Sequence, residues 1–128
     1  MTQYQQHPER LAILREFEES RINVFDAIRK LDEFSCLDDK SRKDGGVVYT
    51  PKDVALRMCS LANPSLGDSA LEPSSGRGVF VFALAMHHLN NGISPLDCCR
   101  ALEHNLRACE IDPNAAADLQ SLWLIFWR

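Results

Sequence analysis

Over residues 8–34 apolar positions recur at helical spacing. Leu11, Leu14, Phe25, Ile28 and Leu31 lie on one side, with Phe17 or Glu18 and Arg21 or Ile22 in a less apolar middle. Glu9, Arg15, Glu19, Asp26 and Lys30 take the other side, and Pro8 suits a first helical turn. The pattern predicts one amphipathic helix that packs on a domain or a partner. Residues 38–46, "DDKSRKDGG", hold no apolar side chain and read as an exposed loop.

From Val47 the pattern changes period. "VVYTP" reads as short and extended, and Pro51 opens a helix through Val54, Leu56, Met58 and Leu61, with Thr50 as its N-cap. "ANPSLGDS" is a turn, "ALEP" a short buried strand, and residues 79–90 return to helical content. After the turn "NNGIS", Ser94 and Pro95 cap and start a helix over "PLDCCRALEHN". "LRACEI" is a second short strand, and Pro113 starts a last helix that ends in "LWLIFW". Strands alternating with helices imply parallel strands joined by crossovers, hence an α/β layered architecture.

Composition narrows the class. A net charge of -4 argues against a chain that coats nucleic acid through charge alone. The five cysteines are odd in number and form no C-x-x-C pair, which favours neither a disulfide framework nor a zinc knuckle. A reducing, cytoplasmic setting is the expectation. The longest purely apolar run falls far short of the ~20 residues that span a bilayer, so no membrane association is expected. His87 and His88, neighbours on a helix, read as surface or packing residues rather than metal ligands, and Cys98-Cys99 as a half-buried pair. No metal site is expected.

The stretch that carries chemistry is "ALEPSSGRGVF", residues 70–80, a glycine loop between a strand and a helix. Backbone N–H groups at such a helix start favour an anion, and glycine lets a ligand approach closely. A phosphate-binding P-loop is excluded because no lysine follows the glycines. A dinucleotide fingerprint is weakened because Val81 stands where its third glycine belongs. A third reading uses Glu72 and Glu110, each at the carboxyl end of a predicted strand, where ligands of open α/β sheets bind. Carboxylates there suit a ligand with a cationic group and a ribose diol, as S-adenosylmethionine has. Arg77 is expected to point to solvent.

Glu72-Pro73-Ser74-Ser75-Gly76-Arg77-Gly78-Val79-Phe80 resembles motif I of the adenine-specific DNA N6-methyltransferases of restriction-modification systems. Tyr49-Thr50-Pro51, followed by Val54 and Met58, resembles their motif X, and Cys109-Glu110-Ile111-Asp112-Pro113-Asn114 resembles motif II. The resemblance runs over about residues 46–120. It implies a partial Rossmann-like S-adenosylmethionine-dependent methyltransferase fold, α/β in class, over residues 46–128, with a leading helix and charged loop over 1–45. It implies that Gly76 and Gly78 bring the backbone against the methionine part of S-adenosyl-L-methionine, with Pro73, Ser74 and Phe80 completing the loop. Glu72 faces the amino group, Tyr49, Thr50 and Pro51 close over the methionine end, Glu110 binds the ribose diol, and Ile111 packs on the adenine.

Two departures limit this expectation. The interval from Glu72 to Glu110 exceeds the ~20 residues typical between glycine loop and acidic residue, which reads as an insertion at 91–104. The 128 residues contain no catalytic [DNS]-P-P-[YFW] motif, so no catalytic residue is assigned. The sequence therefore reads as a cofactor half truncated before its catalytic motif and inactive alone, its DNA partner belonging to the complete enzyme. The competing reading is a non-catalytic remnant or interaction module that docks on a protein through its terminal helices. On either reading "LWLIFW", apolar on every side, is expected to expose an interaction patch.

Overall fold

A computed structural model describes residues 1–37 and 50–128. Its elements are α1 (Pro8–Glu18), α2 (Val24–Leu37), α3 (Lys52–Ala62), β1 (Ala70–Glu72), α4 (Val79–Asn90), α5 (Pro95–Asn105), β2 (Leu106–Ala108) and α6 (Pro113–Phe126). The described residues are thus mostly helical, with six helices around one parallel pair of strands. This overturns the expected α/β, Rossmann-like fold. The physical reason lies in the strands: each is three residues long, and the central Leu71 of β1 is 68% exposed. Parallel sheets of α/β proteins are covered on both faces and read as continuous apolar runs. "ALE" and "LRA" cannot supply such runs.

The local topology nevertheless follows the sequence. β1 and β2 pair in parallel, Ala70 opposite Leu106 and Glu72 opposite Ala108. Their crossover runs through α4 and α5. The pairing continues past the strands, where Cys109 N–H donates to the Glu72 carbonyl at 2.8 Å and Ser75 N–H to the Cys109 carbonyl at 2.9 Å. "ALEP" is therefore a strand, but a largely solvated one.

Helix starts follow capping chemistry. Ser94 Oγ accepts from Asp97 N–H, and Asp112 Oδ1 from Asn114 N–H, each before a proline at the first helical position. His7 does the same for α1, its Nδ1 accepting from Glu9 N–H. Two expectations shift. Pro51, not Thr50, is the N-cap residue of α3, and no side chain caps that end. Residues 8–34 form two helices rather than one. The chain turns at Ser20, whose φ of 60° is left-handed, and Asn23 Oδ1 accepts from Asp26 N–H to open α2. The weakly apolar middle of the stripe is this turn. The predicted loop at 38–46 and the extended Val47–Tyr49 lie outside the described residues.

The main core joins Leu14 of α1, Phe25, Ile28 and Leu31 of α2, Ala55 of α3, Val79, Phe82 and Ala83 of α4, and Leu122 of α6. A second cluster of Ala85, Cys98 and Leu102 seats α5 on α4. The central α4 is apolar on nearly every side, as a helix covered all round must be. The "LWLIFW" run is used mainly by the chain itself. Leu122 is fully buried, and the Trp123 and Phe126 rings lie 5.9 and 5.2 Å from Phe82. Leu124, 67% exposed, is the part of the run that faces solvent. Among the described residues no helix is long and apolar enough to cross a membrane.

Candidate functional site

The loop between β1 and α4 is held by two glutamates. Glu72 ends β1, and its Oε1 accepts from Ser74 N–H at 3.0 Å. Glu110 lies two residues past β2. Its Oε1 accepts from Gly76 N–H at 2.8 Å and its Oε2 from Asp112 N–H at 2.9 Å. One carboxylate therefore ties the loop after β1 to the turn after β2. A backbone bond from Gly78 N–H to the Ser75 carbonyl, 2.9 Å, closes the loop before α4 begins.

The two glycines are needed for different reasons. Both have left-handed φ, +54° at Gly76 and +102° at Gly78, where side chains are strained. A Cβ on Gly76 would meet nothing within 4 Å, so this backbone faces open space. A Cβ on Gly78 would collide with Leu119 of α6 and come within 3.1 Å of the Phe82 ring. Gly78 lets α4 and α6 pack closely, and Gly76 leaves room for something else.

The hydrogen bonds bring Glu72, Ser74, Gly76 and Glu110 into one unit. Pro73 and Ser74 are exposed within the loop, and Ile111 is 98% exposed beside Glu110. Phe80 is half-buried and packs against the main core. Thr50 is half-buried and Pro51 exposed at the start of α3; neither enters the hydrogen-bonded unit. Tyr49 lies outside the described residues.

Arg77 departs most from expectation. It is 2% exposed and points inward, with Nε 2.7 Å from Asp118 Oδ2 and Nη1 2.7 Å from Asp32 Oδ1. Asp118, fully buried on α6, also takes Arg10 Nε on Oδ1 at 2.6 Å and the Tyr4 hydroxyl on Oδ2 at 2.5 Å. Burial opposes the charge on Arg77, but the charges and hydrogen bonds of Tyr4 and Asp118 outweigh it and raise its pKa. Burial, then the bond to Asp118, push the Tyr4 phenol up to about 12. Sequence reading missed Tyr4, Arg10, Asp32 and Asp118. The available signal was Asp118 itself, a lone acid within the apolar run of α6; a buried carboxylate demands a cation.

The histidine pair packs within the end of α4. The His87 and His88 rings meet edge to face at 5.4 Å. His88 is buried, and burial followed by the neighbouring His87 lowers its pKa. Among the described residues no group of three or more His, Cys, Asp or Glu side chains is placed to hold a metal ion. Comparison with known proteins yields no matching family, no matching curated protein and no matching solved structure.

Proposed function

We propose that this chain holds S-adenosylmethionine at the Gly76 loop, as the cofactor-binding part of a DNA adenine N6-methyltransferase. The observation that carries the reading is the 2.8 Å bond from Gly76 N–H to Glu110, which joins the two motif-like segments at one point. The acceptor set suits the cofactor. Each Glu110 oxygen accepts one backbone N–H, and a carboxylate has about four acceptor positions in all. Two remain for the hydroxyls of a ribose. Glu72 uses Oε1 for Ser74 and has Oε2 for an ammonium. Gly76 leaves open space beside them, and exposed Ile111 offers an apolar face to a purine.

When bound, this cofactor supplies an electrophilic methyl group on a sulfonium. The residues of this chain bind and orient it; none is assigned to the transfer. In the complete enzyme an adenine leaves the DNA stack to reach such a methyl group. With a net charge of -4, this chain leaves the duplex contacts to other parts of that enzyme.

Isothermal titration of the full chain with S-adenosylmethionine tests the reading. Micromolar binding is expected, weakened about tenfold or more in Glu110→Gln, since a hydrogen bond to a charged acceptor contributes roughly 1.5–3 kcal/mol. Incubation with labelled cofactor and adenine-containing DNA should transfer no methyl group. A folded chain that binds no cofactor would overturn the proposal and favour an interaction module.

A further inference from the structure

Between Glu72 and α4 the glycine loop carries one charged side chain, Arg77. An arginine in a ligand-facing loop keeps its guanidinium in water or on an anion, because a buried charge needs paired partners. Here it is buried and ends on three separate parts of the chain. Nε lies 2.7 Å from Asp118 of α6, Nη1 2.7 Å from Asp32 of α2, and Nη2 donates to the Tyr4 hydroxyl at 3.1 Å. Asp118 is itself held, since its Oδ1 takes Arg10 Nε.

A planar guanidinium gripped on three sides fixes the backbone that carries it. The two neighbours of that backbone are Gly76 and Gly78, both with left-handed φ. Glycines hold any one conformation weakly, because they sample so many. The other supports tie the start of the loop to β2, through Ser75 N–H on the Cys109 carbonyl, or close it on itself, through Gly78 N–H on the Ser75 carbonyl. Arg77 ties the glycine end to α2 and α6. Gly76 N–H in turn donates to Glu110 at 2.8 Å, so the direction of that N–H sets where the carboxylate stands.

We infer that Arg77 is a positioning residue for the ligand held at Gly76. It does not touch the ligand; it sets the Gly76 N–H and the Glu110 carboxylate through the loop backbone. The inference rests on the cofactor reading of this loop. An ion pair that only stabilises the fold leaves ligand affinity untouched once the chain is folded. A positioning one changes it, because binding groups work only when held close to their productive geometry.

Amide NMR of the full chain, together with isothermal titration of S-adenosylmethionine, separates the two. The Gly76 amide is the reporter, and Glu110→Gln shows where its signal goes when the bond to a carboxylate is lost. Arg77→Met should move the signal toward that position and weaken the cofactor about tenfold in the folded chain. Arg77→Lys, which keeps the charge but not the fork, should recover part of both. Asp32→Asn leaves Asp118 and Tyr4 on Arg77 and is the milder variant if Arg77→Met does not fold. It should move the signal the same way and weaken the cofactor about threefold. Leu102→Ala opens a hole in the second cluster and should lower stability without moving either readout. An unmoved Gly76 signal in folded Arg77→Met, or in Asp32→Asn where only that variant folds, overturns the inference. So does unchanged affinity beside a moved signal, or an equal response in Leu102→Ala. Absence of cofactor binding by the unaltered chain would instead sink the cofactor reading, and the Gly76 signal would still decide whether Arg77 sets the loop.

Discussion

Replacing Asp118 by alanine should be among the most damaging single changes in the chain. Asp118 is fully buried and takes Arg10 Nε at 2.6 Å, Arg77 Nε at 2.7 Å and the Tyr4 hydroxyl. Its loss strands two guanidiniums that are 3% and 2% exposed. Arg77 keeps Asp32 at 2.7 Å, and Arg10 keeps the Gln5 carbonyl and Ser121 Oγ, so neither is abandoned entirely. Breaking a buried pair from one side costs about 3–5 kcal/mol. At about 2.1 cal/mol/K per residue, the 128 residues have an unfolding entropy of about 0.27 kcal/mol/K. The midpoint temperature should therefore fall by about 11–19 °C. Urea unfolding, followed by circular dichroism and by the fluorescence of Trp123 and Trp127 on the same end of the chain, measures the loss. Glu33→Ala, which removes an exposed partner of Arg29, serves as control at under about 1 kcal/mol. A cycle with Arg77→Met should give a coupling of about 2 kcal/mol. If Asp118→Ala costs no more than the control, the cluster does not hold the fold and the reasoning fails.

The two glycines and Tyr4 give further tests. Gly78→Ala should cost about 2–4 kcal/mol, from left-handed strain plus the collision with Leu119 and Phe82. Gly76→Ala meets open space and should cost only about 1–2 kcal/mol; equal shifts in urea midpoint would contradict the division of labour between them. Folding raises the Tyr4 pKa from its ordinary 10.0 to about 12, so the native state holds that proton more tightly. The resulting stabilisation is complete below pH 10 and drains away as pH climbs to about 12. Tyr4→Phe should flatten the alkaline fall in stability over that window, and an unchanged slope would assign it to other groups.

What the sequence made legible is mostly local. α5 and α6 begin where Ser94-Pro95 and Pro113 place them, because a cap and a proline act within one turn. The parallel crossover from β1 to β2 was likewise readable from element order. The extent of the sheet was not, since a three-residue strand and the first part of a longer one share the same letters. The turn at Ser20 carries no glycine to announce its left-handed φ of 60°. Arg77 was misread for the same reason at longer range. Its partner Asp118 is 41 residues away, and Arg10 reaches Asp118 across 108. No periodicity records such pairings; only the oddity of one acid in an apolar helix hints at them.

That hidden pairing changes what the glycine loop is. Gly76 faces open space while the next residue, Arg77, is bolted through Asp118 and Asp32 to α6 and α2. The loop is thus open on one side and anchored on the other. Tyr4 touches Arg77 with its hydroxyl at 3.1 Å, and with Phe34, Ser35 and Asp112 it lines a cavity of about 530 Å³ beside the N-terminus of α6. The Gly76 loop and the cavity beside α6 therefore share one buried support. A change at Asp118 should loosen both, whereas a change at Glu72, whose carboxylate bonds only within the loop, should affect the loop alone.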